Sequence, residues 1–282
     1  MFYQKLKLKS FNRKYKRQNI TKNNVIFYLR ELYSNVAFST FPYIFKNNTS
    51  SKALEYNCGN CVALSIYIKN RLKKELNIDS YLIPATIPKY LQKQGYLDIS
   101  HIALAIPYDK NHIFIVDPAF YFIEPIDICK KQLPHNNKPI LKSKIYNNAV
   151  YTIHSSTRKL KQDIVFNKYQ TIPANTIVCD CIDEEKQPWS YFLIEALNPD
   201  KAISKFFIEV RKYPFITSTE VDSDGVCKPL IDLRIKNNNQ INISLRNKNI
   251  YTGSINYIPH QIINLLNNLV GKHFDSDITN YL

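Results

Sequence analysis

The chain has 282 residues, 45% of them hydrophobic and 22% charged, with a formal net charge of +15. That is apolar mass enough for one or two globular domains and too much for a disordered chain. Only Gly59, Gly95, Gly225, Gly253 and Gly271 occur, no two of them close enough to build a phosphate-cradling loop, so the usual nucleotide-binding loops are excluded.

Residues 1–30 carry nine basic residues and no acidic one, interleaved with Phe2, Tyr3, Phe11 and Tyr15. Such a segment can make a weak contact with nucleic acid or an anionic membrane, although a basic block at a terminus is more often a solvated appendage. Residues 1–22 are therefore read as a basic N-terminal extension. No apolar run reaches the roughly 18–20 residues of a membrane span, and none follows the basic start as a secretory signal requires. With no such signal, the six cysteines read as reduced thiols and the expected location is the cytoplasm.

From Asn23 to Phe38 the residues Val25, Ile26, Leu29, Leu32, Tyr33 and Val36 recur at helical spacing, which predicts a helix ended by Phe41-Pro42. The polar stretch from Asn47 to Ser51 reads as a loop. A second helix begins near Cys61, with a stripe of Cys61, Leu64, Ile68, Leu72 and Leu76. Its first turns are apolar nearly all round, so its start is expected to be buried and its end exposed.

After Asp79 the pattern changes to short strands: Tyr81–Ile83, His101–Ile106, Ile113–Asp117, Val150–His154, Ile164–Phe166, Thr176–Cys179 and Tyr191–Glu195. Alternation of Ile231, Leu233 and Ile235, then of Ile241, Ile243 and Leu245, predicts a hairpin. A last helix starts at Pro259, carries Ile262, Leu265, Leu266 and Leu269 on one face, and stops at Gly271. The fold class is α+β. A helical part (23–80) is followed by an antiparallel β-barrel or sheet (81–195) and a C-terminal α/β lid (196–282).

The candidate chemistry lies between Asn57 and Phe120. A nucleophilic thiol needs ionisation, a proton acceptor and a group that orients the acceptor. Cys61 opens the buried helix, where unpaired N–H groups and the helix dipole favour a thiolate and can hold an oxyanion. His101 lies on the face of Ala103 and Ala105, and Asp117 on the face of Ile113 and Ile115. A five-residue turn from Pro107 to Asn111 would set Ile106 opposite His112 and His101 opposite Asp117, with Cβ atoms about 4.5–5.5 Å apart. Singly, a buried cysteine or a strand histidine is ordinary packing. Their arrival in order, each on an element that acyl transfer can use, points to a triad.

Cys58-Gly59-Asn60-Cys61 is also a CxxC, but no hydrophobic strand leads into it as a thioredoxin-type site requires. Cys179-Asp180-Cys181 lacks the two-residue spacing that would complete a zinc site with the first pair, so no metal is expected. Cys129 and Cys227 have no partner pattern.

At Gly59-Asn60-Cys61, His101 and Val116-Asp117-Pro118-Ala119-Phe120 the sequence resembles the transglutaminase-like thiol superfamily, and within it the arylamine N-acetyltransferases. The spacings from Cys61 to His101 and from His101 to Asp117 are also similar to that family. The resemblance implies Cys61 as nucleophile, His101 as base and then acid, Asp117 as orienting carboxylate and Phe120 as a residue lining the acceptor pocket. It implies acetyl-coenzyme A as donor and a small-molecule amine as acceptor, in a ping-pong acetyl transfer. The same triad with water as acceptor would make a thiol peptidase, amidase or deglycosylating enzyme. The third reading is a nucleic-acid-binding protein without catalysis.

Overall fold

The computed structural model describes residues 9–10, 17–92, 96–132, 138–140, 148–161, 169–173, 175–195, 214–236 and 239–270. Most of the basic extension, the expected strand at Ile164–Phe166 and Gly271 lie outside the described residues.

The chain opens with β1 (Lys9–Ser10), α1 (Lys22–Asn35), β2 (Ala37–Ser39), the short helices α2 (Phe41–Phe45) and α3 (Ser50–Ala53), β3 (Cys58–Gly59) and α4 (Cys61–Leu76). Thr21 and Asn24 start α1 with a reciprocal capping box. Val25, Leu29 and Leu32 are its fully buried stripe. The helix stops at Asn35, three residues short of the predicted end. Val36 turns extended, and Ala37–Ser39 pairs antiparallel with Phe215–Val221 and parallel with β3. Sheet hydrogen bonds on both edges outweigh the helical periodicity of this apolar segment. The expected loop at Asn47–Ser51 is likewise corrected: the Thr49 hydroxyl accepts from Lys52 N–H, caps α3, and delivers Ser50 into the interior.

Helix α4 is capped by Asn60 and ends at Asn77 in the left-handed region, with Lys73 and Lys74 in its last turn. Cys61 to Ser65 are buried and Leu76 is exposed, the gradient the sequence predicts. Arg71 ties α4 to α1 through Glu31 while also pairing with Glu75.

The middle of the chain holds β4 (Tyr81–Ala85), β5 (His101–Pro107), β6 (His112–Val116), β7 (Ile126–Cys129), β8 (Lys138–Ile140), β9 (Ala149–Ser156), β10 (Lys159–Lys161), β11 (Tyr169–Thr171), β12 (Thr176–Asp183), β13 (Pro188–Phe192) and β14 (Ile194–Glu195). Eight of them form one sheet in the order β7-β6-β5-β4-β13-β12-β9-β8. Ile126 and Ile128 of β7 share a core with Tyr151 and Ile153 of β9, and the Tyr151 hydroxyl donates to the Asp127 carbonyl. The sheet is therefore rolled into a nearly closed barrel. In β5, Ile102, Leu104 and Ile106 pack toward the helices, while Ala103 and Ala105 pack inside the barrel.

The remaining strands β15 (Phe215–Val221), β16 (Cys227–Ile235), β17 (Gln240–Leu245) and β18 (Lys248–Ser254) join β2 and β3 in a second sheet, ordered β18-β17-β16-β15-β2-β3. The predicted hairpin is there, with Leu233 opposite Ile243 and Ile235 opposite Ile241. Helix α5 (His260–Val270) buries Leu266 in the core of this sheet.

Candidate active site

Cys61 stands at the junction of β3 and α4. Asn57 takes the left-handed conformation before the strand, at φ 51°. Gly59 lies so close to the following helix that a Cβ there would sit 2.3 Å from the Ala63 Cβ and 3.0 Å from the Tyr43 hydroxyl. This is a packing requirement, and it gives a first prediction. Gly59→Ala should destabilise the protein by about 1–3 kcal/mol through overpacking, read as a lower denaturation midpoint.

The start of α4 has four N–H groups without an intrahelical partner. The Asn60 N–H donates to the Tyr43 hydroxyl at 3.0 Å, and the Ala63 N–H donates to Asn60 Oδ1 at 3.1 Å. Among the described residues, the Cys61 and Val62 N–H groups have no such acceptor. The Cys61 thiol, 3% exposed, thus sits at a helix mouth that retains hydrogen-bonding capacity for an anion.

His101 begins β5, opposite Ala85 of β4, and Asp117 follows β6 as the cap of the turn Pro118–Phe120. Helix α4 packs against both β5 and that turn. The hairpin register differs from the predicted one. Ile106 faces Phe114 where His112 was expected, a slip of two residues. Side chains alternate with period two, so this slip keeps His101 and Asp117 on one face and makes them diagonal neighbours.

His101 Nε2 and Asp117 Oδ2 lie 2.7 Å apart, at 3% and 1% exposure. The Cys61 thiol lies near enough to the same imidazole to help hold its proton. With Nε2 taken by the carboxylate, Nδ1 is the nitrogen left for sulfur. Burial opposes protonation of His101, but the Asp117 charge and hydrogen bond, with Cys61 contributing, overcome it and raise the pKa to about 10.

Asp117 is itself held. The Phe120 N–H donates to Oδ1 at 3.3 Å, and the Tyr191 hydroxyl donates to Oδ2 at 2.6 Å. Burial, and then the Asp117 charge, keep the Tyr191 phenol far above its ordinary pKa, so it remains a neutral donor. Tyr191→Phe should cost about 1.5–3 kcal/mol of stability, the worth of one hydrogen bond to a charged group, in thermal or chemical unfolding. Phe120 stacks on the imidazole, with ring centroids 4.5 Å apart and planes 17° apart, and Trp189 meets Phe120 edge-on.

The structure thus brings Cys61, His101 and Asp117 together and lays Phe120 over the histidine. Sequence reasoning missed Tyr191, which sits 74 residues from Asp117 in a segment legible only as a strand. It also missed Tyr43 and Ser50 beneath Asn60. The Cys58 thiol contacts the Ala53 carbonyl, and burial pushes it up to about 12. Cys179 and Cys181 lie side by side inside the barrel, with sulfurs 4.0 Å apart. Among the described residues no group of three or more His, Cys, Asp or Glu side chains could hold a metal ion.

No protein-family model matches the chain, and no curated protein matches it. Solved structures do. An arylamine N-acetyltransferase from Bacillus cereus, described as having a unique Cys-His-Glu catalytic triad, is 16% identical with a TM-score of 0.57, covering 90% of this chain and 92% of that one. Arylamine N-acetyltransferase C from Bacillus anthracis is 13% identical at a TM-score of 0.55, covering 90% and 93%. The Salmonella typhimurium enzyme is 11% identical at 0.53, covering 94% and 91%. The chain therefore has the arylamine N-acetyltransferase fold.

Proposed function

We propose that this fold carries a cysteine-dependent acyltransferase, moving an acetyl group from acetyl-coenzyme A to an amine by a ping-pong route. The observation that carries the reading is the buried relay in which Asp117 orients His101 and His101 meets the Cys61 thiol at the mouth of α4. Acetyl-coenzyme A supplies the acetyl group as a thioester.

Cys61 sulfur bonds to the thioester carbonyl carbon, and the carbonyl electron pair moves onto oxygen, held by N–H groups at the helix mouth. His101, having taken the Cys61 thiol proton, gives it to the departing coenzyme A thiolate. It then removes a proton from the incoming amine as the amine displaces sulfur. Asp117 stabilises the imidazolium whenever His101 holds the transferred proton, and Tyr191 fixes Asp117. Phe120, stacked on the imidazole, is the acceptor-pocket residue of this reading.

Hydrolysis would use the same acyl-enzyme and differ only in the acceptor. Steady-state kinetics separate the two. Transfer predicts parallel double-reciprocal lines and release of coenzyme A that depends on an arylamine or hydrazine. Release at full rate without any amine would overturn transfer in favour of hydrolysis.

A further inference from the structure

The Asn60 side chain is completely buried, and its two ends are used unequally. Oδ1 accepts from Ala63 N–H at 3.1 Å and from the Ser50 hydroxyl at 2.9 Å. The Tyr43 hydroxyl donates to Ser50 Oγ at 3.0 Å while accepting the Asn60 N–H at 3.0 Å. Because the Ala63 N–H can only donate, the end that faces it is the oxygen. The other end, Nδ2, is therefore the donor end of the carboxamide. It is buried and has no hydrogen-bond partner among the described residues.

An amide donor left unpaired in the interior costs about 1–3 kcal/mol, and a native chain that keeps one calls for a reason. Glycine or serine at this position would open or cap the helix without that cost. The carboxamide caps the mouth of α4 through the Ala63 N–H, one residue before Cys61, at the helix end where the Cys61 and Val62 N–H groups also lack acceptors. The helix mouth and the orphaned amide are independent features, and both call for an oxygen acceptor.

We infer that Asn60 Nδ2 is an oxyanion-hole donor for the Cys61 acyl-transfer step, an inference that rests on the function proposed above. When sulfur bonds to the acyl carbon, the carbonyl π pair becomes an oxyanion, and Nδ2 donates to that oxygen together with the helix N–H groups. Collapse restores the carbonyl, breaks the bond to the leaving group and returns Nδ2 to its unpaired state. The Tyr43–Ser50–Asn60 bonds hold the amide in place beforehand, so no reorganisation is needed during the reaction.

Two reactions of Cys61 separate this role from plain helix capping. Alkylation by iodoacetamide displaces iodide at a saturated carbon and forms no oxyanion, whereas acylation by p-nitrophenyl acetate passes through one. In Asn60→Ser the hydroxyl still caps the helix, but Nδ2 is gone. Acylation at Cys61 should fall by about 10²–10³-fold relative to alkylation at the same residue, the usual effect of removing one such donor. Asn60→Asp preserves side-chain shape and the cap, and its acylation-to-alkylation ratio should fall likewise, so the result does not hang on one variant folding. An unchanged ratio in both variants would reduce Asn60 to a cap and overturn the inference. Failure of the unmodified protein to acylate Cys61 at all would instead overturn the acyltransferase reading.

Discussion

Cys61→Ala is expected to abolish acetyl transfer, lowering the rate by about 10³-fold or more, while leaving the protein folded. The asymmetry follows from where the residue sits. Asn60 supplies the cap, Gly59 the close approach, and the Val62 to Leu72 stripe the buried face of α4, so the thiol itself contributes little to the fold. Removing one buried sulfur should cost on the order of 1 kcal/mol. Circular dichroism and the unfolding midpoint should stay near those of the unmodified chain while turnover disappears. Turnover retained in the alanine variant would remove Cys61 from the chemistry.

Asp117→Asn is also expected to act strongly, by about 10⁴-fold in kcat, the scale seen when a triad carboxylate becomes an amide. Asp117 Oδ2 accepts from both His101 Nε2 and the Tyr191 hydroxyl. An asparagine has one oxygen where the carboxylate has two, and the Phe120 N–H already donates to Oδ1. With the oxygen kept by the Phe120 N–H, the amide NH2 takes the Oδ2 position, faces Nε2 and forces the proton onto Nδ1, the nitrogen that must accept from the thiol. The tautomer is then wrong for catalysis.

The same substitution has a pH signature. The folded pKa of His101, raised to about 10 chiefly against burial by Asp117, stands above its ordinary value of 6.5. Stability from this charge is therefore fully present below about pH 6.5 and is lost as pH rises through about 10. The stability gap between the unmodified protein and Asp117→Asn should shrink across that window. A gap that widened toward alkaline pH would contradict the assignment of the raised pKa to Asp117.

Much of the architecture is legible because periodicity follows burial. The α4 gradient and the β16–β17 register are examples, since each is set by one apolar face. The β5–β6 hairpin lies two residues from the predicted register, and His101 and Asp117 still share a face because an even slip leaves every side chain on its own face. Where the reading failed, non-local pairing decided. Ala37–Ser39 carries a helical period but takes sheet partners on both sides, one of them at Ile216 and Thr217. Ser50 looks like a loop residue until Tyr43 and Asn60 surround it. Tyr191 gives no signal beyond strand alternation, because its function depends on a carboxylate in a different part of the barrel.

The most direct test of the account is intact-mass and peptide-mapping mass spectrometry after mixing the protein with acetyl-coenzyme A in the absence of an amine. One acetyl group should appear on Cys61 as a thioester and should vanish on addition of an arylamine or hydrazine. A protein that stays unmodified, or that carries its acetyl group on a residue other than Cys61, would contradict the account.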